Sequence, residues 1–252
     1  MAGGISAPNA APSVAEIRLG FVLPGVNTIV EPWYASALPR GFNAHFARML
    51  LPARLTPEAV RQMDEEDGAR ALRQIASVRP HAAIYACFAS SVVLGVAADR
   101  ELALSSTRLT GAPAETAAGA SFKAMRALGM RRIAVVSPYA EEIDRAEHAL
   151  LEEAGFEVIA SRSFGITGSF ELAGLSAAGM IRAGQEIAPG ADGLFLSCMN
   201  TPSHLAIAEL ERETGLPVVT ATSATLWAAL RLAGFAGDPE RIGRLGAAAF
   251  PG

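Results

Sequence analysis

The sequence predicts an α/β protein made of two pseudo-symmetric halves, each with a parallel sheet. Two observations point to it. Along the 252 residues, short apolar runs alternate with longer stretches of helical period, the pattern of a parallel sheet covered by helices. Landmarks also recur in register: Pro24 and Pro138 end apolar runs 114 residues apart, and Cys87 and Cys198 follow apolar runs 111 residues apart, as internal duplication produces.

The elements follow in order. Residues 1–16 mix Ala, Gly, Pro and Ser without a basic leader or a sustained apolar stretch, so they read as a flexible tail with no export signal, and a cytoplasmic location is expected. Strands are predicted at 17–23, 82–86, 133–137, 193–197 and 217–220, each followed by turn or cap residues and a helical pattern. Thr56-Pro57-Glu58 opens a helix running toward residue 77, with a capping hydroxyl, a first-turn proline and an acid at the positive helix end. Helical patterns cover 91–102 and 202–213, the latter opened by Asn200, Thr201 and Pro202 and closed by Gly215. The expected division is 17–118 plus 217–252 for the first half and 119–216 for the second.

Composition excludes several function classes. Hydrophobic residues make up 51% and charged ones 18%, enough to bury cores and incompatible with general disorder. Lys plus Arg number 21 against 25 Asp plus Glu, and aromatics are 6%, so the footprint of a nucleic-acid binder is absent. No run of about 18 consecutive apolar residues occurs, so no membrane span is expected. There is no Gly-x-Ser-x-Gly elbow, phosphate-binding loop or dinucleotide fingerprint. His45, His81, His148 and His204 lack metal-ligand spacing. His204 alone lies near a cysteine, either as a base for Cys198 or as an exposed helix position.

The two cysteines carry the chemistry. In a cysteine-poor intracellular chain they are expected to be free thiols. Each follows a strand and precedes a helical pattern, so unpaired amides and the helix dipole should favour thiolate and pull the pKa below the free value of about 8.5. The same amides can cradle a carboxylate. Ligands in open parallel sheets bind beyond the carboxyl ends of the strands, so two facing half-sheets should enclose a cleft lined by both sulfurs. The alternative is an inert core thiol at each position.

At this point the residues resemble a known family. LPGVNTIVEP (23–32), HFARM (45–49), Cys87, SPY (137–139), SCMN (197–200) and PVVTATSATLW (217–227) fall in the order of the maleate cis-trans isomerase and arylmalonate decarboxylase group of the aspartate/glutamate racemase superfamily. The resemblance implies two Rossmann-like halves, no cofactor, a small carboxylate substrate and, commonly in this group, a homo-oligomer. It implies that Cys87 adds as thiolate to the double bond of a cis-enedioate and that Cys198 is the acid/base partner, so that rotation about the new single bond gives the trans product. Asn27 would then bind a substrate carboxylate and Tyr139 would donate to the enolate-like oxygens. Thr28, Ser90, Asn200 and Thr222 are further substrate-binding candidates, and Arg48 either attracts the anion or is a plain surface charge. Arylmalonate decarboxylases carry glycine at the first cysteine position, so the pair favours an isomerase or a two-thiol racemase over a decarboxylase; a non-catalytic anion-binding protein is the third reading. Phe88 and Met199 replace the small hydroxyl residues common after each cysteine, 164–172 lacks the asparagine of many maleate isomerases, and Thr222 stands where they have asparagine. These departures put maleate itself in doubt and favour a more apolar cleft for a substrate with one carboxylate and a less polar remainder, or a larger dicarboxylate, unless Phe88 and Met199 simply join the core.

Overall fold

Residues 17–239 and 241–250, described by a computed structural model, form two four-stranded sheets. The first contains β1 (Ile17–Pro24), β2 (Phe42–Met49), β3 (Ala82–Tyr85) and β4 (Ala114–Thr116). The second contains β5 (Arg132–Tyr139), β6 (Glu157–Ile166), β7 (Gly193–Leu196) and β8 (Val218–Thr220). Their orders, β2-β1-β3-β4 and β6-β5-β7-β8, are one topology used twice, and every strand pairing is parallel. The α/β class and the duplication stand as expected. The expected tail, 1–16, lies outside the described residues.

Helices α1 (Val30–Ala37), α2 (Pro57–Met63), α3 (Ala69–Ala76), α4 (Phe88–Leu94), α5 (Val96–Thr110) and α6 (Ala117–Ala127) accompany the first sheet in sequence. Then come α7 (Glu141–Glu153), α8 (Ala177–Ile187), α9 (Ile207–Thr214) and α10 (Ala221–Leu232). Central strands β3 and β7 are buried throughout, AAIY and GLFL, because helices cover both faces. Close packing sets Gly20 in β1: a β-carbon there would come within 2.3 Å of the Ile75 side chain of α3.

Three predicted helices differ in detail. Thr56 caps α2 as expected, accepting from the Ala59 amide at 3.2 Å, but the run toward residue 77 passes through a π-helical turn, Asp64–Gly68, before α3. The 91–102 helix starts earlier, at Phe88, and is cut into α4 and α5 by Gly95 at φ 83°. The segment after Cys198 begins with a 3₁₀ turn, Ser203–Ala206, before α9, which Gly215 ends in the left-handed region.

The boundary at 217 also shifts. β8, expected in the first half, is bonded to β7 in the second sheet; the helix that follows, α10, then packs on α6, β3 and β4. Residues 221–230 of α10 are all buried, and its first turn is fixed by reciprocal capping between Thr220 and Ser223. One apolar core therefore runs through both halves, from Phe21 and Ile84 to Val135, Phe195 and Trp227, with a smaller cluster around Val136, Met180 and Leu196. Among the described residues no helix is long and apolar enough to cross a membrane.

Candidate active site

In each sheet the chain winds one way from its first strand and the other way from its third strand, and a crevice opens where these two strands end side by side. In the first sheet that point is the end of β1 and β3, followed by Asn27 and Cys87. In the second it is the end of β5 and β7, which brings Tyr139 and Cys198 together. The two crevices face each other, and Asn27, Cys87, Tyr139, Cys198 and Asn200 line one cavity between the halves. Both cysteines are free and buried. Phe88 and Met199 line the same cavity, and Phe88 also packs on Phe195 of the second sheet with ring centroids 5.4 Å apart. Leu51, Leu55, Val60 and Leu172, which the sequence reading missed, complete an apolar wall.

Two asparagines latch the halves together. Asn27 Oδ1 accepts from the Ile29 and Val30 amides at the start of α1, both at 3.0 Å, while its Nδ2 donates to the Met199 carbonyl at 2.9 Å. In return Asn200 Oδ1 accepts from the Thr28 amide at 3.1 Å, and the Asn200 amide donates to Cys198 Sγ at 3.3 Å. Arg48 braces this loop, donating to the Gly25 and Asn27 carbonyls and pairing with Glu31 at 2.8 Å. It is not among the cavity-lining residues.

The cavity is roofed. Leu55 N donates to the Thr167 carbonyl at 2.9 Å and Ser169 N to Ala53 at 2.8 Å, while Ser169 Oγ donates to Pro52 at 2.7 Å. Residues after β2 and after β6 thus join across the mouth. The space beneath is narrow, about 30 Å³. Ser169 sits in the 164–172 segment, where Gly165 and Gly168 mark a turn but nothing in the sequence says what the turn touches.

Three expected binding residues do not line the cavity. Thr28 is exposed and borders an outer groove of about 710 Å³ with Trp33, His204 and Arg241, which contains neither thiol. Thr222 is buried beneath α10's cap, 2.9 Å from Thr220 Oγ1. Ser90 lies behind Cys87, its hydroxyl donating to Asp64 Oδ1 at 2.8 Å. His204 stacks on Trp33 at 4.5 Å, and burial lowers its pKa to about 4; it borders the groove and not the thiol cavity, so the base role is withdrawn.

The thiols are not acidified at rest. Burial pushes Cys87 up to about 12, with the Asp64 carboxylate adding to the rise and Ser90 opposing it. Burial likewise raises Cys198 to about 11, opposed by the Asn200 amide and the Tyr139 hydroxyl, both hydrogen-bonded to its sulfur. The expected helix-dipole effect is outweighed because both sulfurs are dry. For Cys198 the geometry also differs: the residue turns at φ 75°, and the first helical turn after it begins only at Ser203. Burial raises Tyr139 far above the ordinary tyrosine value, which leaves its hydroxyl a donor.

The arylmalonate decarboxylase family model matches residues 51–246. Arylmalonate decarboxylase of Bordetella bronchiseptica is 37% identical over 144 residues, 56% of this chain and 60% of that protein. Maleate isomerase of Pseudomonas putida is 30% identical over 229 residues, 85% of this chain and 90% of that protein. Among solved structures, a maleate cis-trans isomerase of Nocardia farcinica, a cysteine-to-serine mutant with a covalently bound succinylcysteine intermediate, superposes with a TM-score of 0.86 at 27% identity, covering 92% of this chain and 98% of that one.

Proposed function

Because the chain belongs to the arylmalonate decarboxylase family, we propose that it is a cis-trans isomerase of a small enedioic acid, acting through a cysteine thiolate adduct. The observation that carries this reading is the pair of thiols at matching strand ends of two facing sheets, in one cavity. The likeness to maleate isomerases along most of the chain, one of them holding a succinylcysteine, supports it.

In the proposed cycle the Cys87 thiolate adds to one alkene carbon. The S–C bond forms, and the π pair moves to the neighbouring carbon and into its carboxylate. The Cys198 thiol protonates that carbon, leaving a succinyl adduct in which the former double bond is single and rotates. Cys198 thiolate then takes back a proton from the same carbon, the S–C bond breaks, and its electrons return to sulfur as the trans double bond forms. A thiol raised to about 11 is protonated at neutral pH, the state this acid requires. Donors from Tyr139 and the Asn200 amide stabilise its sulfur once the proton has left. Asn27 and Asn200 are the proposed carboxylate contacts. Among the described residues none of the cavity-lining side chains is cationic, so neutral donors hold the anion in this reading.

The leucines and Val60 of the wall favour an enedioic acid with an apolar substituent. Incubation with maleate and with 2-methylmaleate, followed by proton NMR, is expected to show the trans acids, with higher kcat/KM for the methylated substrate. Cys87→Ser is expected to lower turnover by at least about 10³-fold while remaining folded. Unchanged alkenes with exchange of an α-proton of an amino or hydroxy acid would instead mark a two-thiol racemase.

A further inference from the structure

Cys87 has to lose a proton before it can add, and its dry surroundings offer few acceptors. Ser90, one helical turn on, lies with its hydroxyl and amide against the Cys87 sulfur. The same hydroxyl donates to Asp64 Oδ1 at 2.8 Å, and the Tyr85 hydroxyl donates to that oxygen at 2.6 Å. Asp64 Oδ2 is out of contact with solvent and has no hydrogen-bond partner.

The fold aims this carboxylate deliberately inward. Asp64 opens the π-helical turn between α2 and α3, a local expansion frequent at functional sites. Of the four consecutive acids in that turn, Glu65 and Glu66 are exposed and Asp67 is held by Arg70 at 2.8 Å and by the Leu50 amide. Only Asp64 reaches the hydroxyl behind the thiol. Gly68 leaves room for this arrangement, since a β-carbon there would sit 2.8 Å from the Tyr85 hydroxyl.

We propose that Asp64 is the proton acceptor for Cys87, reached through the Ser90 hydroxyl; this rests on Cys87 being the nucleophile. A serine hydroxyl can accept one hydrogen bond while donating another. As the Cys87 S–H bond breaks, its proton passes to Ser90 Oγ, and the proton already on Ser90 passes to Asp64 Oδ1. One negative charge moves from carboxylate to sulfur, so no net charge is created in the dry site. After elimination the two transfers reverse. Burial raises the Asp64 carboxyl, opposed by Tyr85 and Ser90 and assisted by Glu65, which makes it a stronger base than an exposed aspartate. The charged and titratable groups around it are Glu65 and Asp67 on its own turn, Tyr85 on β3, Cys87 before α4, and Arg70 of α3, which is bound to Asp67.

Asp64→Asn keeps an acceptor for both hydroxyls but cannot take the proton. With the isomerised enedioic acid as substrate, it is expected to lower kcat by about 10²–10³-fold with KM within threefold, and to make the remaining activity climb with pH as hydroxide replaces the acceptor. Asp64→Glu is expected to recover part of the loss. A charge effect alone has the opposite sign: removing the negative group beside Cys87 would ease thiolate formation. Asp64→Asn with unchanged or increased kcat and the wild-type pH profile would therefore overturn the proposal. Should circular dichroism show Asp64→Asn unfolded, Ser90→Ala decides, being expected to give the same loss and pH dependence, with near-normal kcat overturning it. Turnover surviving in Cys87→Ser would instead remove the nucleophile itself, whereas loss there beside a normal Asp64→Asn would remove the relay alone.

Discussion

Cys198 occupies φ 75°, a conformation that costs a residue with a β-carbon roughly 1–2 kcal/mol, and the turn puts its sulfur on the Asn200 amide and the Tyr139 hydroxyl. Behind it lies a buried acid. Glu147 is fully buried, accepts from Ser197 Oγ at 3.1 Å, leaves Oε1 without a partner, and is raised by burial from 4.5 to about 8. Between those values the folded chain keeps a proton that the unfolded chain releases. Stability therefore falls as pH rises from about 4.5 to about 8, by up to about 1.4 kcal/mol per pH unit from this group. Glu147→Gln is expected to gain on the wild type more at pH 8 than at pH 6 in urea unfolding; parallel pH slopes would contradict it. Asn27, Tyr139 and Asn200 entered through the family resemblance, whereas the cysteines were legible because they stand at strand ends, where any parallel sheet presents its residues to ligand. Asp64 and Glu147 were not, since an acid on a helix reads as a solvated face until packing shows which way it turns. Thr28 and Thr222, also taken from the resemblance, do not line the cavity, because a motif match does not specify a side chain's direction.

At the scale of elements, capping and termination signals served well where the backbone obeyed a single local rule. Thr56 at α2 and Gly215 after α9 are examples. The edge strands β2 and β6 escaped notice because FNAHFARM and EVIASRSFGI, only partly buried, carry no continuous apolar run. The break between α4 and α5 was likewise hidden, since one glycine inside a helical pattern is tolerated. Gly95 at φ 83°, ψ 168° occupies a region open essentially to glycine, and a β-carbon there would meet nothing nearer than Glu153 Oε2 at 3.8 Å. Gly95→Ala is thus expected to cost about 1–3 kcal/mol through conformation and not crowding. Chemical denaturation checks it, and an unchanged midpoint would contradict it. The roof over the cavity follows from pairing between the segments after β2 and β6, contacts that neither segment announces by itself.

For the whole molecule, duplication had a direct consequence: two copies of one strand order bring two switch points face to face, and the recurring prolines and cysteines gave that away in the sequence. What the repeat could not reveal is how far the halves merge. β8 stays with the second sheet while α10 packs on the first, so a single core threads both and the reactive cavity is carved out of its middle. That continuity explains why the thiols are buried and high in pKa at rest, where unpaired amides and the helix dipole had been expected to acidify them. Opposed thiols, one adding and one protonating, are the centre of the account. The most direct test is intact-mass spectrometry of Cys198→Ser after incubation with maleate. The chain is predicted to gain the mass of one maleic acid, mapped by peptide fragmentation to Cys87; an unmodified Cys87 under conditions where the wild type produces fumarate would contradict it.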